Sequence, residues 1–240
     1  MSEALSARPT PQPMRGNPMR TVLYREMVRE DWDAIFALAC AIWYSDIDEI
    51  DDDEVRLLAS TIDISLVLKR SSHGIVAIDE QTGSIVGVVC VTGTEPPPKR
   101  VQGWHEVAIA KALDRGARIG EARGDDTGVQ LKGLDAELRR YLALTDELTR
   151  DGYDGEVTLL LLDAGYQGLG IGRELIDRGI EWLHAQGSRS LYLVTDDSCN
   201  YPFYDRLGWR QAHAFKADIT IFGKVWETVE FIYESPPEEL

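Results

Sequence analysis

Hydrophobic positions along this chain switch between two periods, and each switch marks an element. Val22 to Met27 predicts a first strand, and Asp31 opens an amphipathic helix through Ile35, Leu38, Ala39 and Ile42. A second helix is expected from Asp53 to about Lys69. Gly74 to Asp79 and Ile85 to Thr92 read as strands joined by the turn Glu80-Gln81-Thr82-Gly83-Ser84. Val157 to Leu162 is a continuous apolar run of strand length, and Asp163 to Tyr166 supplies turn signals. The run Gln167-Gly168-Leu169-Gly170-Ile171-Gly172-Arg173 then leads into Leu175, Ile176, Ile180 and Leu183 at helical spacing, with Gly187 as the stop. Two last strands, about Arg210 to Ile221 and Val225 to Tyr233, flank the hairpin signal Phe222-Gly223-Lys224.

The stretch between the third and fourth strands breaks this rhythm. Pro96-Pro97-Pro98 ends the third strand, and helical periodicity follows in Val107, Ile109, Ala112 and Leu113, then in Leu134, Leu138, Tyr141, Leu142 and Leu148. A structureless loop of that length is improbable, so residues 94–155 read as a helical insertion. Its role is either packing at the periphery or in a dimer contact, or a lid over a substrate. Residues 1–20, with Pro9, Pro11, Pro13 and Pro18 among polar residues, read as a disordered tail; 21–234 form one domain, and 235–240 a C-terminal tail.

Composition narrows the class. With 240 residues, 44% of them hydrophobic, the chain can bury a proper core. No apolar run approaches the roughly 18 residues of a membrane span, and the N-terminus lacks a signal-peptide core, so a cytoplasmic protein without membrane association is expected. Cys40, Cys90 and Cys199 make no disulfide framework, and the four histidines form no cluster at metal-ligand spacing, so no metal is expected. A formal net charge of -16 disfavours nucleic acid and favours a cationic substrate. Seven acids crowd between Asp46 and Glu54, either as a solvated loop entering a helix N-terminus or as a flank that attracts an amine.

The glycine run carries the chemistry. A helix N-terminus presents unpaired N–H donors and the positive end of its dipole, and glycines let a phosphate approach the main chain. The dinucleotide fingerprint fails, because its third glycine falls on Arg173 or Leu175, and no Gly-Lys-Ser/Thr ending of a triphosphate loop exists. The run instead resembles the Q/R-x-x-G-x-G/A signature of the GNAT superfamily of acetyl-CoA-dependent N-acetyltransferases, with Gln167, Gly170 and Gly172 at its fixed positions. Thr195 to Trp209, with Asn200, the pair Phe203-Tyr204 and Gly208-Trp209, resembles a second segment of the same family. The resemblance implies an α/β fold with a mixed, mostly antiparallel central sheet flanked by helices, the insertion lying between strands 3 and 4.

It also implies a reaction: transfer of an acetyl group from acetyl-CoA to a primary amine of a small molecule by direct attack. A protein or peptide acceptor, or a non-catalytic acyl-CoA or small-molecule sensor on the same fold, are the alternatives. By the resemblance, a strand bulge frees the main chain of Leu160 and Leu162 for the pantetheine and thioester region. The pyrophosphate lies on Gly168, Gly170, Gly172 and Arg173, with Gln167 fixing the turn, and Asn200 caps the next helix or touches pantetheine. Tyr204 is the candidate general acid, since a phenol at about pKa 10 matches an alkyl thiol. Glu156 falls where the histone-acetylating branch has its glutamate base, and by period-two counting shares a face with Leu160. Asp196, Asp197 or a water are open alternatives, and Cys199 near a helix N-terminus is a candidate nucleophile that the family's direct transfer does not require.

Overall fold

A computed structural model describes residues 21–94, 103–149 and 152–236; the predicted N-terminal tail, Pro96-Pro97-Pro98 and the last four residues lie outside them. Seven strands form one sheet: β1 (Val22–Glu26), β2 (His73–Asp79), β3 (Ile85–Gly93), β4 (Gly155–Leu162), β5 (Leu191–Asp196), β6 (Arg210–Ile221) and β7 (Lys224–Glu234). Their order is β1-β2-β3-β4-β5-β7-β6, and β4 with β5 is the one parallel neighbour pair among them. Helices are α1 (Trp32–Ala39), α2 (Asp53–Arg70), α3 (Trp104–Arg123), α4 (Thr127–Thr149), α5 (Ile171–Ala185) and α6 (Pro202–Arg206). The expected α/β architecture, with its helical insertion as α3 and α4, is the one observed.

Three apolar cores divide the work. On one face of the sheet Val89, Val91, Val157 and Leu193 pack against Ile171, Leu175, Ile176 and Leu183 of α5. On the other, Val88, Cys90, Leu159 and Leu161 meet Trp32, Ile35, Phe36 and Ala39 of α1 and Ile64 and Leu68 of α2. The third core joins α2 to α3 and α4 through Ile62, Leu66, Ile109, Ala112, Leu131 and Leu134, and it reaches Phe222 and Trp226 at the tip of the β6–β7 hairpin. The insertion is therefore built into the domain rather than hung from it. Gly116 and Gly128 allow α3 and α4 to touch closely, because a Cβ on Gly128 would sit 2.8 Å from the Ala117 Cα.

Local starts differ slightly from the periodic reading. Arg29–Asp31 form a 3-10 turn before α1, where Asp31 accepts from the Val28 N–H at 2.8 Å and pairs with Arg25 at 2.6 Å. Beyond Ala39 the helix widens into a π turn, Cys40–Tyr44. No described helix is long and apolar enough to cross a membrane.

Candidate active site

Two neighbouring strands part company at the centre of this sheet. β4 pairs with β5 only through Gly155–Leu191, Glu156–Tyr192 and Val157–Leu193. On its other side β4 stays paired with β3, but the register slips between Cys90 and Val91, so that Thr158 is an extra residue, a β-bulge. The bulge bends β4 away from β5 and opens a fork beyond Val157. At the outer end of β4, the Asp163 N–H donates to the Val86 carbonyl of β3 at 2.8 Å. Antiparallel bonding alternates, so Leu161 and Leu159 also turn their main-chain groups to β3, while Leu160 and Leu162 turn theirs into the fork. Their side chains pack on the α5 core.

The glycine run follows at the open end of the fork, beyond Leu162. Asp163 accepts from the Gly165 N–H at 2.7 Å and starts a 3-10 turn over Ala164–Tyr166, and the Tyr166 hydroxyl donates to Asp79 of β2. Gly168 and Gly170 then hold left-handed backbone, at φ 77° and 82°. A Cβ on either would meet nothing within 4 Å, so the turn faces open space. Gly172 lies inside α5, where a Cβ would come 3.5 Å from the Phe203 ring, and Gly170 accepts the first helical bond from the Glu174 N–H at 3.0 Å. The N–H groups of Ile171, Gly172 and Arg173 precede that bond and are the orphan donors of a helix N-terminus. Donors, dipole and open space together fit a diphosphate. The Gln167 side chain is exposed and makes no hydrogen bond to a described residue; its main chain, extended at ψ 152°, shapes the turn. Arg173 is exposed beside Asp177.

Tyr204 comes to the fork from α6. Its ring sits among Phe203, Trp209 and Tyr233, at 5.3, 6.3 and 5.6 Å between centroids, on the α5 side of the sheet. Its hydroxyl has no hydrogen-bond partner among the described residues; burial raises its pKa well above 10, and Cys199 and Asp196 raise it further. The phenol is thus firmly protonated near the end of β5. Tyr201 is the N-cap of α6; the Asn200 carbonyl just before it accepts from the Phe203 N–H at 3.0 Å, and the exposed Asn200 side chain makes no cap bond. Burial, reinforced by Asp196, pushes the Cys199 thiol up to about 11, the wrong direction for a nucleophile.

Glu156 sits differently from the periodic expectation. The bulge at Thr158 reverses the alternation, so Glu156 faces α2 together with Leu159, while Leu160 faces α5. Glu156 is buried, at 7% exposure, and its Oε2 accepts from Arg70 at 2.8 Å and from the Tyr192 hydroxyl at 2.9 Å. Arg70 also reaches Asp146 of α4 at 2.6 Å. Burial raises the Glu156 pKa against the opposing pull of Arg70. This network ties α2 and α4 to the closed part of the β4–β5 pair.

Sequence reasoning named Asp196 and Asp197 at the end of β5 but passed over two other carboxyls, Glu230 and Asp63. Glu230 of β7 stands opposite Asp196 of β5, is 2% exposed, and accepts from Tyr141 at 2.7 Å and Thr228 at 2.8 Å. Asp63 of α2 accepts from the Tyr44 hydroxyl at 2.9 Å, and burial pushes its pKa up to about 6. Glu230 falls on a regular strand alternation and Asp63 on a helical polar position, so neither carried a signal. The acidic segment resolves toward its bland reading. Asp52 caps α2 through the Val55 N–H at 2.9 Å and pairs with Arg123, Glu54 pairs with Arg115 at 2.6 Å, and Glu49 with Lys224 at 2.8 Å. Among the described residues no three His, Cys, Asp or Glu side chains are grouped to hold a metal ion.

Residues 134–209 match the family model of the acetyltransferase (GNAT) family. No curated protein matches the chain. An N-acetyltransferase from Staphylococcus aureus Mu50 is similar in structure at 16% identity and TM-score 0.46, over 90% of this chain and 98% of that one. A GCN5-related N-acetyltransferase from Kribbella flavida is similar at 14% identity and TM-score 0.48, over 90% and 97%. The family match spans the fork, the glycine turn and α6.

Proposed function

We propose that the protein transfers an acetyl group from acetyl-CoA to a primary amine of a small molecule by direct attack. The observation that carries the reading is the fork: β4 and β5 separate just beyond Val157, the outward-turned main chain of Leu160 and Leu162 lines one side, and the glycine turn lies at its open end. The bound donor supplies an activated thioester. Leu160 and Leu162 offer N–H and C=O groups that an extended amide chain can pair with, as a missing strand would. The N–H groups at the start of α5 hold the pyrophosphate, and Tyr204 gives its proton to the departing sulfur.

A small acceptor suits the opposite side of the fork, where α2, α4 and the β6–β7 hairpin crowd together. A cytoplasmic place, where such donors are made, belongs to the same reading. The test is release of free thiol from acetyl-CoA with a panel of small primary amines, alongside lysine-containing peptides. Turnover with small amines supports the reading. Turnover with peptides alone moves the assignment to a protein acetyltransferase, and donor binding without thiol release to a sensor.

A further inference from the structure

Direct attack needs an amine that has lost its proton, and an alkylammonium ion with pKa near 10 arrives protonated at neutral pH. Glu156, the residue in the family's glutamate position, already accepts from a guanidinium and a phenol on one oxygen, in the closed part of the β4–β5 pair. That carboxylate is committed to the Arg70–Tyr192 network, in the stretch where β4 and β5 stay paired.

Glu230 has the opposite surroundings. It stands on β7 across from Asp196, the last residue of β5, and so at the mouth of the fork rather than its closed end. Both hydrogen bonds to its carboxyl come from neutral hydroxyls, Tyr141 and Thr228, and it makes no ion pair with a described residue. Tyr141 projects from α4, which places Glu230 on the α2–α4 side of the sheet, while Tyr204 lies on the α5 side. An amine between them would meet a proton acceptor from one face and a proton donor from the other. The ionisable groups facing Glu230 are Tyr141 from α4 and Asp196 and Asp197 from the end of β5, with Asp63 of α2 near enough to act on Tyr141. All are acidic, so the surroundings of Glu230 have the sign that draws an ammonium ion.

We propose that Glu230, held by Tyr141 and Thr228, is the group that takes the proton from the acceptor ammonium; this rests on the acetyltransfer reading above. The ammonium gives one proton to the Glu230 carboxylate and its nitrogen lone pair forms the new N–C bond. The C–S bond breaks with its electron pair on sulfur, which takes the Tyr204 proton. The second proton leaving the nitrogen restores the Tyr204 phenol, and Glu230 returns its proton to water.

Glu230→Gln keeps one acceptor oxygen for Tyr141 and turns its NH2 group to the Thr228 hydroxyl, which can accept it while donating to the Ala217 carbonyl, so the variant should melt close to the parent and bind acetyl-CoA with unchanged affinity. With the best amine of the panel its kcat/KM should fall about 100-fold or more near pH 7. That deficit should shrink as pH rises toward the pKa of the amine, because free base needs no proton acceptor. Amine binding to the donor-free variant, followed by calorimetry, should weaken about tenfold or more. Glu156→Gln serves as the contrast, with a loss of stability and a smaller loss of turnover that does not depend on pH in this way. Turnover of Glu230→Gln within about twofold of the parent at every pH would overturn the proposal, as would a pH-dependent loss confined to Glu156→Gln. If the parent itself releases no thiol with any amine, the acetyltransfer reading fails instead, so the two failures are distinguishable.

Discussion

Gly168 and Gly170 hold a backbone that costs ordinary residues about 1–2 kcal/mol, and they do so beside open space, where no packing would reward the strain. Gly170→Asp should therefore destabilise the fold by only that amount while placing a carboxylate where a phosphate is expected. Calorimetry should show acetyl-CoA binding lost and the melting temperature little changed. Tyr204→Phe should leave donor affinity intact and lower kcat by about 100-fold, since the ring contacts survive and only the proton donor goes. Asp63 makes a pH-dependent contribution whose sign is fixed by its surroundings. Its folded pKa of about 6 lies above the ordinary 3.8, so the folded state binds the extra proton between those values. Stability is then fullest below about pH 4 and falls as pH rises through 6. Asp63→Asn should raise stability near pH 7.5 by up to ~3 kcal/mol and leave it unchanged near pH 4, as denaturant melts at the two pH values would show.

Elements that repeat a simple period were legible in the sequence, and those that break it were not. The stripes through Ile35 and Leu38, and through Leu175, Ile176 and Leu183, are buried faces of α1 and α5. A bulge in β4 was expected from the resemblance, but its place at Thr158 was not legible, because the rest of Val157 to Leu162 is apolar and one inserted residue changes only which face each side chain meets. That single slip carries Glu156 to the side of Arg70. Arg70→Met should cost about 3–5 kcal/mol in a denaturant melt by stranding Glu156 in an apolar setting, and adding Glu156→Leu should recover most of it. The seam between α3 and α4 is equally specific. Gly128→Ala would set a Cβ 2.8 Å from the Ala117 backbone, a contact that neither helix can relieve by turning a side chain. It should cost about 1–3 kcal/mol, whereas Glu54→Ala, breaking an exposed pair with Arg115, should leave the denaturant melt close to that of the parent.

At the scale of the whole molecule, the sheet divides the chemistry into two sides. The α5 side bears the glycine turn and Tyr204, and its letters are distinctive because left-handed backbone and helix starts restrict residue choice. This is why the candidate donor half of the site stood out in the sequence. The α2–α4 side is assembled from three helices and a hairpin that are distant in the chain, and its acids look like any surface acids until the fold brings them together. Several acids of the Asp46–Glu54 segment are engaged in pairs that bind it to α3 and the hairpin. The central claim is that the fork and its glycine turn form an acyl-CoA site. Isothermal titration of acetyl-CoA into the parent protein and into Gly170→Asp tests it most directly. The account predicts one donor bound per chain in the parent and none in the variant. Absence of binding to the parent, or equal binding to both, would contradict it.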